Sequence, residues 1–315
     1  MNVVYKAALA AALLMTPAMT PRPALAEQIS VTHWGVLMYG APYAVAIEKG
    51  YYKEAGLGID GVLTSKGGGT TMRNVMASPL PYGEVALSAA LAAMKQGIEL
   101  KIIHSGVRTA GEILWATLPD SGINSVKDLA GKKVAFTSPK SVTDMLLTMV
   151  MDKHGIKAET VSAGGIGGGL TMVEQKAVVA APVMDPVWSK VQAKFKPVFF
   201  VKDELPAMVQ TVGVTTVEYA NANKDKLRKF VQARKKAVEF IYANPEETAK
   251  IVAKHYETDE KIILGAVKNL SAMKYWSPGE FEFDAMDNMV KGLQIVGEVE
   301  GKVDWSKVVD ESYMK

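Results

Sequence analysis

Apolar and polar residues alternate over 29–34, the period of a half-buried strand, and a second strand is predicted over 59–63. That strand runs into Lys66-Gly67-Gly68-Gly69-Thr70-Thr71. A helix over 70–78 follows, with Met72, Val75 and Met76 at the i, i+3, i+4 spacing of a buried face. Between these strands, 43–49 forms a short helix closed by Gly50. Residues 85–87 and 100–105 are two further strands, and Ser88 follows the end of the first of them.

A second series begins near Ile113. It holds a strand over 114–118, a short capped helix at 125–133, a buried strand over 134–136 and a helix over 142–153 closed by Gly155. The polar loop Thr137-Ser138-Pro139-Lys140-Ser141 leads into that helix. A second glycine loop, 163–169, leads into the next. An apolar strand over 178–183 ends in Asp185-Pro186-Val187-Trp188, and 209–215 carries the chain back to the first domain. Beyond Lys224 the pattern is helical. Phe230, Ala233, Ala237, Val238 and Ile241 make one stripe, Asn244-Pro245-Glu246-Glu247 starts a new helix, and two amphipathic stretches lie at 260–270 and 280–296.

Strands alternating with helices imply an α/β fold with mostly parallel sheets, whose ligands sit beyond the carboxyl ends of the strands. Trp34, the first glycine loop and Ser88 all fall at such ends. Glycine at a strand-to-helix join lets a ligand approach helix N–H groups that have no intrahelical partner, and the helix dipole favours negative charge there. The loop around Gly69, Thr70 and Thr71 is therefore either half of a site for a small anionic solute or a flexible capped turn.

The first 26 residues stand apart. Lys6 precedes an apolar run too short to span a bilayer, three prolines follow, and Ala24-Leu25-Ala26 has the form of a signal-peptidase site. Cleavage after Ala26 would leave 289 of the 315 residues. It would remove Lys6 and Arg22, lowering the net charge from +3 to +1. No basic surplus then points to nucleic acid, and no later stretch is apolar enough to enter a membrane. The chain has no cysteine, which excludes cysteine catalysis and cysteine-ligated metal and leaves stability to a large core. No nucleophile elbow, phosphate loop, complete dinucleotide fingerprint or zinc spacing occurs, so neither a cofactor nor a metal is expected.

Several stretches taken in order carry a resemblance: 42–57 (Pro-Tyr-Ala-Val-Ala-Ile-Glu-Lys-Gly-Tyr-Tyr-Lys-Glu-Ala-Gly-Leu), 126–134 (Val-Lys-Asp-Leu-Ala-Gly-Lys-Lys-Val), Asp185-Pro186-Val187-Trp188 and Asn244-Pro245-Glu246-Glu247. Together they resemble the periplasmic solute-binding proteins of ABC importers in the nitrate/sulfonate/taurine and thiamine-pyrimidine-precursor group. The resemblance implies a two-lobed periplasmic binding protein of type II with two crossover strands as hinge. One lobe would hold 27–110 and 210–315, the other 111–209. It implies a monomer that captures a small solute between the lobes and passes it to a membrane permease with its ATPase. Carried onto this chain, the cleft residues are Trp34, Tyr39, Gly69, Thr70, Thr71, Ser88, Ser138, Ser141, Asp185 and Trp188. The alternatives are plain ones: core packing for Trp34 and Trp188, a surface position for Tyr39, helix capping for Ser138 and Ser141, and a turn for Asp185. A small organic anion of the sulfonate or aromatic carboxylate type is the expected solute, and a pyrimidine or thiamine precursor the alternative. An enzyme on the same fold and a periplasmic sensor are the rival classes.

Overall fold

The computed structural model describes residues 27–139 and 141–315; the predicted leader with its cleavage point, and Lys140, lie outside the described residues. The chain opens with β1 (Glu27–Thr32), a short helical lead-in and α1 (Ala41–Glu48), then α2 (Tyr51–Glu54) and β2 (Ile59–Ser65). The order continues through α3 (Gly68–Ala77), β3 (Tyr82–Ala86), α4 (Leu87–Lys95) and β4 (Leu100–Val107). The chain then crosses to β5 (Leu114–Thr117), β6 (Lys133–Phe136), α5 (Val142–His154), β7 (Glu159–Ser162) and α6 (Ile166–Glu174). β8 (Ala181–Val183), α7 (Val187–Val191), β9 (Lys196–Phe200) and α8 (Val201–Glu204) complete this part. A second crossover returns it as β10 (Thr211–Thr216), followed by α9 (Val217–Ala222), α10 (Lys224–Ala243), α11 (Pro245–Tyr256), α12 (Glu260–Ala272) and α13 (Phe283–Ile295).

The two lobes repeat one plan. In the first, β1 pairs in parallel with β2 and β3, and β10 runs antiparallel between β3 and β4, giving the order β2-β1-β3-β10-β4. In the second, β5 runs antiparallel between β8 and β9, β6 pairs in parallel with β7, and a parallel bridge from Val134 to Ala180 joins the two groups. The composite order, β7-β6-β8-β5-β9, matches the first lobe with β5 in the place of β10. Each antiparallel strand is the one by which the chain enters its lobe from the other. Each crossover is bonded to an element beside it: the Ile113 carbonyl accepts from Val201 N–H of α8 (2.8 Å), and Gln210 N–H donates to the Val107 carbonyl of β4 (2.8 Å). This is the two-lobed, two-crossover binding-protein fold that the resemblance implied.

A buried polar knot holds the first lobe together. Arg234, in the apolar stripe of α10, is 1% exposed and ion-paired with the wholly buried Glu84 of β3 (3.3 Å). It also donates to the carbonyls of Ser277 (2.8 Å) and Gly106 (3.1 Å) and to the Tyr43 hydroxyl (3.1 Å). Thr211 donates to the other Glu84 oxygen (2.7 Å) and accepts from Val107 N–H (2.8 Å), fixing the point where the second crossover enters the sheet. Every charge here has partners, which a buried ion pair needs to persist.

Several elements differ from the pattern reading. The helix predicted over 70–78 starts at Gly68, and Met76, expected on its buried face, is 51% exposed. The strand predicted over 85–87 ends at Ala86, so Ser88 lies in the first turn of α4. Pro245 and Glu247 sit at the start of α11 as expected, but Asn244 donates to the Phe240 carbonyl (3.2 Å) instead of capping the new helix. Strands β7 and β9 have no sequence counterpart. The first is short and largely exposed, and the second is short and carries Pro197, so neither shows a clear period. The C-terminal helices also reach the second lobe. On α13, Gly292 lies against Met145 and Met149 of α5, and on α12, Gly265 lies against Ser189 of α7.

Candidate functional site

Four strand-to-helix joins, two from each lobe, face one another across a cavity of about 510 Å³. From the first lobe come Thr32, His33, Val36, Leu37 and Tyr39 after β1, and Lys66, Gly67 and Gly68 after β2. From the second come Thr137, Ser138, Ser141, Val142 and Thr143 after β6, and 164–167 after β7. Ala86 ends β3, Met184 and Val187 follow β8, and Ile113 and Gln210 on the two crossovers close the hinge end. The strand order thus sets a direction in the cleft: the glycine loops lie at one edge and the hinge at the other.

The glycine loop of the first lobe is shaped by close packing. A Cβ on Gly68 would run into the Cβ of Ala89 on α4, so only glycine lets α3 start this near its neighbour. A Cβ on Gly67 would meet nothing within 4 Å, since that side is the cavity. In the second lobe Gly165 takes φ +155°, which side chains rarely adopt, and a Cβ on Gly167 would also point into open space. The starts of α3 and α6 therefore lie beside the cavity, with Gly67 and Gly68 of the one and Gly165 and Gly167 of the other in its lining. Helix α5 adds a third start, where the Ser141 hydroxyl caps by accepting from Asp144 N–H (3.2 Å). Ser141, Thr137 and Thr143 form a triangle of hydroxyls with sides of 2.8 to 3.0 Å.

Among the sequence candidates, Tyr39, Ser138 and Ser141 line the cavity. The others do not. The helix begins two residues before the predicted start, which carries Gly69 and Thr70 past the mouth; Gly69 lies in an outer groove between α3 and α4, and Thr70 accepts from Arg73 (2.8 Å) on the surface. Thr71 is wholly buried behind the lining, bonded to the hydroxyls of Thr32 (2.7 Å) and Ser65. Ser88 gives way to Ala86 for the reason of strand length given above. Trp34 packs edge-on against Tyr256 (5.2 Å) and His255 (5.9 Å) of α11, its ring filling the space a Cβ on Gly40 would need. Asp185 accepts from Ser189 N–H (2.9 Å) and hydroxyl (2.6 Å) and from Asn269 of α12 (3.0 Å), so it caps α7 and ties the lobes together. Trp188 packs into the second lobe's own core.

The lining residues that pattern reading missed are mostly backbone and apolar. The second glycine loop stood out only by its composition, and Gln210 and Ile113 became visible only once the crossovers were in place. Among the described lining residues Lys66 carries the one ammonium, and no aspartate or glutamate lines the cavity. Burial pushes the His33 imidazole below its ordinary range. Behind the hinge end, Glu112 is 4% exposed, with Tyr275 and Gln210 beside its carboxyl, and burial, outweighing them, pushes it up to about 8. Both groups are therefore uncharged near neutral pH, and the free cleft is polar with a positive edge.

The chain is similar to known proteins over most of its length. A candidate aliphatic sulfonates-binding protein of Bacillus subtilis is 23% identical over 306 residues, covering 92% of this chain and 88% of that one. The crystal structure of a periplasmic aliphatic sulphonate binding protein from Escherichia coli matches with a TM-score of 0.75 at 15% identity, over 91% of this chain and 92% of that one. The crystal structure of a desulfurization enzyme shares the fold as well, with a TM-score of 0.68 at 13% identity over 91% and 97%. The NMT1/THI5 like family model matches residues 38–248, and the chain belongs to that family.

Proposed function

We propose that this protein is the solute-binding component of an ABC importer, and that its solute is a small organic anion of the sulfonate or aromatic carboxylate type. One observation carries the choice of solute. Two glycine-loop helix starts face each other across a cavity of about 510 Å³ whose described lining holds Lys66 and no carboxylate. Exposed N–H groups at helix starts favour negative charge, and Val36, Ile113, Ile166, Met184 and Tyr39 offer an apolar wall to the rest of the solute. A solute touching both lobes favours the closed arrangement, and closure is what a permease reads.

In this reading 27–110 with 210–315 form one lobe and 111–209 the other, consistent with sheet membership. The protein acts in the periplasm after removal of its leader, as a monomer, with a permease and its ATPase as partners. It performs no chemistry, and the binding-protein relatives favour that over the enzyme of the same fold. Thermal unfolding against alkanesulfonates, aromatic carboxylates, nitrate and pyrimidines tests it. A true solute at one hundred times its dissociation constant adds about 2.7 kcal/mol of stability. A shift with pyrimidines alone would replace the anion reading, and turnover of a bound sulfonate would replace the transport reading.

A further inference from the structure

We propose that His33 is the proton-linked contact for the solute's anionic group, so that loading the cleft takes up a proton. This rests on the anion reading above and adds to it a residue and a regulation. Three observations carry it.

First, His33 lines the cavity at the join after β1, on the loop next to Lys66 and Gly67. The two loops are bonded together, since His33 N–H donates to the Ser65 carbonyl (2.8 Å). Second, the backbone at His33 is left-handed, with φ +56°. Few side chains adopt that region, and outliers of this kind cluster at ligand sites. The turn is held by its own carbonyl, which accepts from Val36 N–H and Leu37 N–H (3.0 Å each). The imidazole is thus presented by a constrained turn and not by a free loop. Third, burial lowers the ring's proton affinity, and among the described residues no hydrogen bond or charge offsets it. An imidazole in an anion cleft that has lost water and gained no partner is poised to gain one from the ligand. With an anion beside it, the charged form is favoured, and the protonated ring donates to the anion.

Other titratable groups near the cavity separate from this one. Tyr39 is pushed up by burial and by Glu112, away from neutral pH. Lys66 lines the same edge. Glu112 holds its proton up to about 8, so it stays uncharged between pH 5 and 7. Asp185 is turned to Ser189 and Asn269, and His255 to Glu48, outside the lining.

The test is calorimetry at about pH 5 and about pH 7 with the alkanesulfonate that gives the largest thermal shift. Sulfonates stay ionised throughout, so any pH effect belongs to the protein. Two cationic buffers of unequal ionisation enthalpy report proton uptake, and sulfonate buffers are avoided as competitors. The expected result is binding about fivefold tighter at the lower pH, with net proton uptake, since affinity can change up to tenfold per unit between the free and bound ionisation ranges. His33→Asn keeps the left-handed backbone accessible and should flatten the dependence to within about twofold. His33→Gln is the second variant. Proton NMR of the imidazole signals, with His33 assigned by its loss in either variant, should show its titration moving up on loading. A sulfonate that binds equally at both pH values, or a His33→Asn protein that keeps the dependence, overturns the proposal while leaving the anion reading standing. If no organic anion binds at all, both fall.

Discussion

At the scale of single residues, the cleft is defined by what glycine leaves out. Gly67 and Gly68 are adjacent and look alike in sequence, yet a methyl group meets open cavity at one and the Ala89 side chain at the other. The backbone at Gly67 is extended, with φ 176°, a conformation that any residue adopts. Gly67→Ala is therefore expected to fold with wild-type stability and to lose solute affinity, because its methyl stands between the solute and the N–H groups of α3. Gly68→Ala is expected to lose about 1–3 kcal/mol of stability through the forced separation of α3 from α4. Urea unfolding beside calorimetric titration separates the two outcomes. Equal affinity of Gly67→Ala and wild type for the bound sulfonate would remove this loop from the contact set.

At the scale of elements, most of the helices were legible because their periods are long and their caps local. The stripe on α10 is buried as read, from Phe230 to Ile241. What the stripe conceals is Arg234, a cation that pattern reading passes over as a break in an apolar face. Its role depends on Glu84, which is 150 residues away in the chain. Removing it leaves a buried carboxylate unpaired, so Arg234→Met is expected to cost about 3–5 kcal/mol in urea unfolding. Adding Glu84→Gln should recover part of that loss, because the stranded charge is then gone. A single variant as stable as the parent would show that the Arg234–Glu84 pair does not hold the lobe together. Element ends were less legible than element cores. Helix α3 begins two residues early because Gly68 can pack on Ala89, a contact no local pattern records. That shift alone moves Gly69, Thr70 and Thr71 off the site.

At the scale of the whole molecule, the hinge is where the two lobes' histories meet. Glu112 on the first crossover lies near Gln210 on the second, and the Tyr275 hydroxyl donates to the Gln210 side-chain Oε1 (3.4 Å) close by. The Glu112 carboxyl ionises near 4.5 when unfolded and is pushed up to about 8 by burial when folded. Between those values the folded state holds a proton that the unfolded state has released. Stability therefore falls as pH rises through that window and levels off above it, by about 5 kcal/mol at most. Glu112→Gln should flatten the slope and be the more stable protein at pH 8, measured by urea unfolding at about pH 5, 6.5 and 8. Parallel slopes for the two proteins would show that the acid is charged and partnered. The pairs α12–α7 and α13–α5 also join the lobes at this scale, and the Asp185–Asn269 bond lies in the first of them.

The sequence by itself determined the α/β order and the family resemblance, which implied the two-lobe plan, and it raised the glycine loops as candidates for the site. These rest on local periodicity, turn chemistry and short motifs, all written within a few residues of where they act. The tertiary structure decided which atoms face the cleft. Tyr39, Ser138 and Ser141 are there, while Trp34, Asp185 and Trp188 are spent on packing, capping and joining the lobes. A side chain's direction depends on helix starts, crossover pairing and neighbours far along the chain, and those contacts exist only once both sheets have formed.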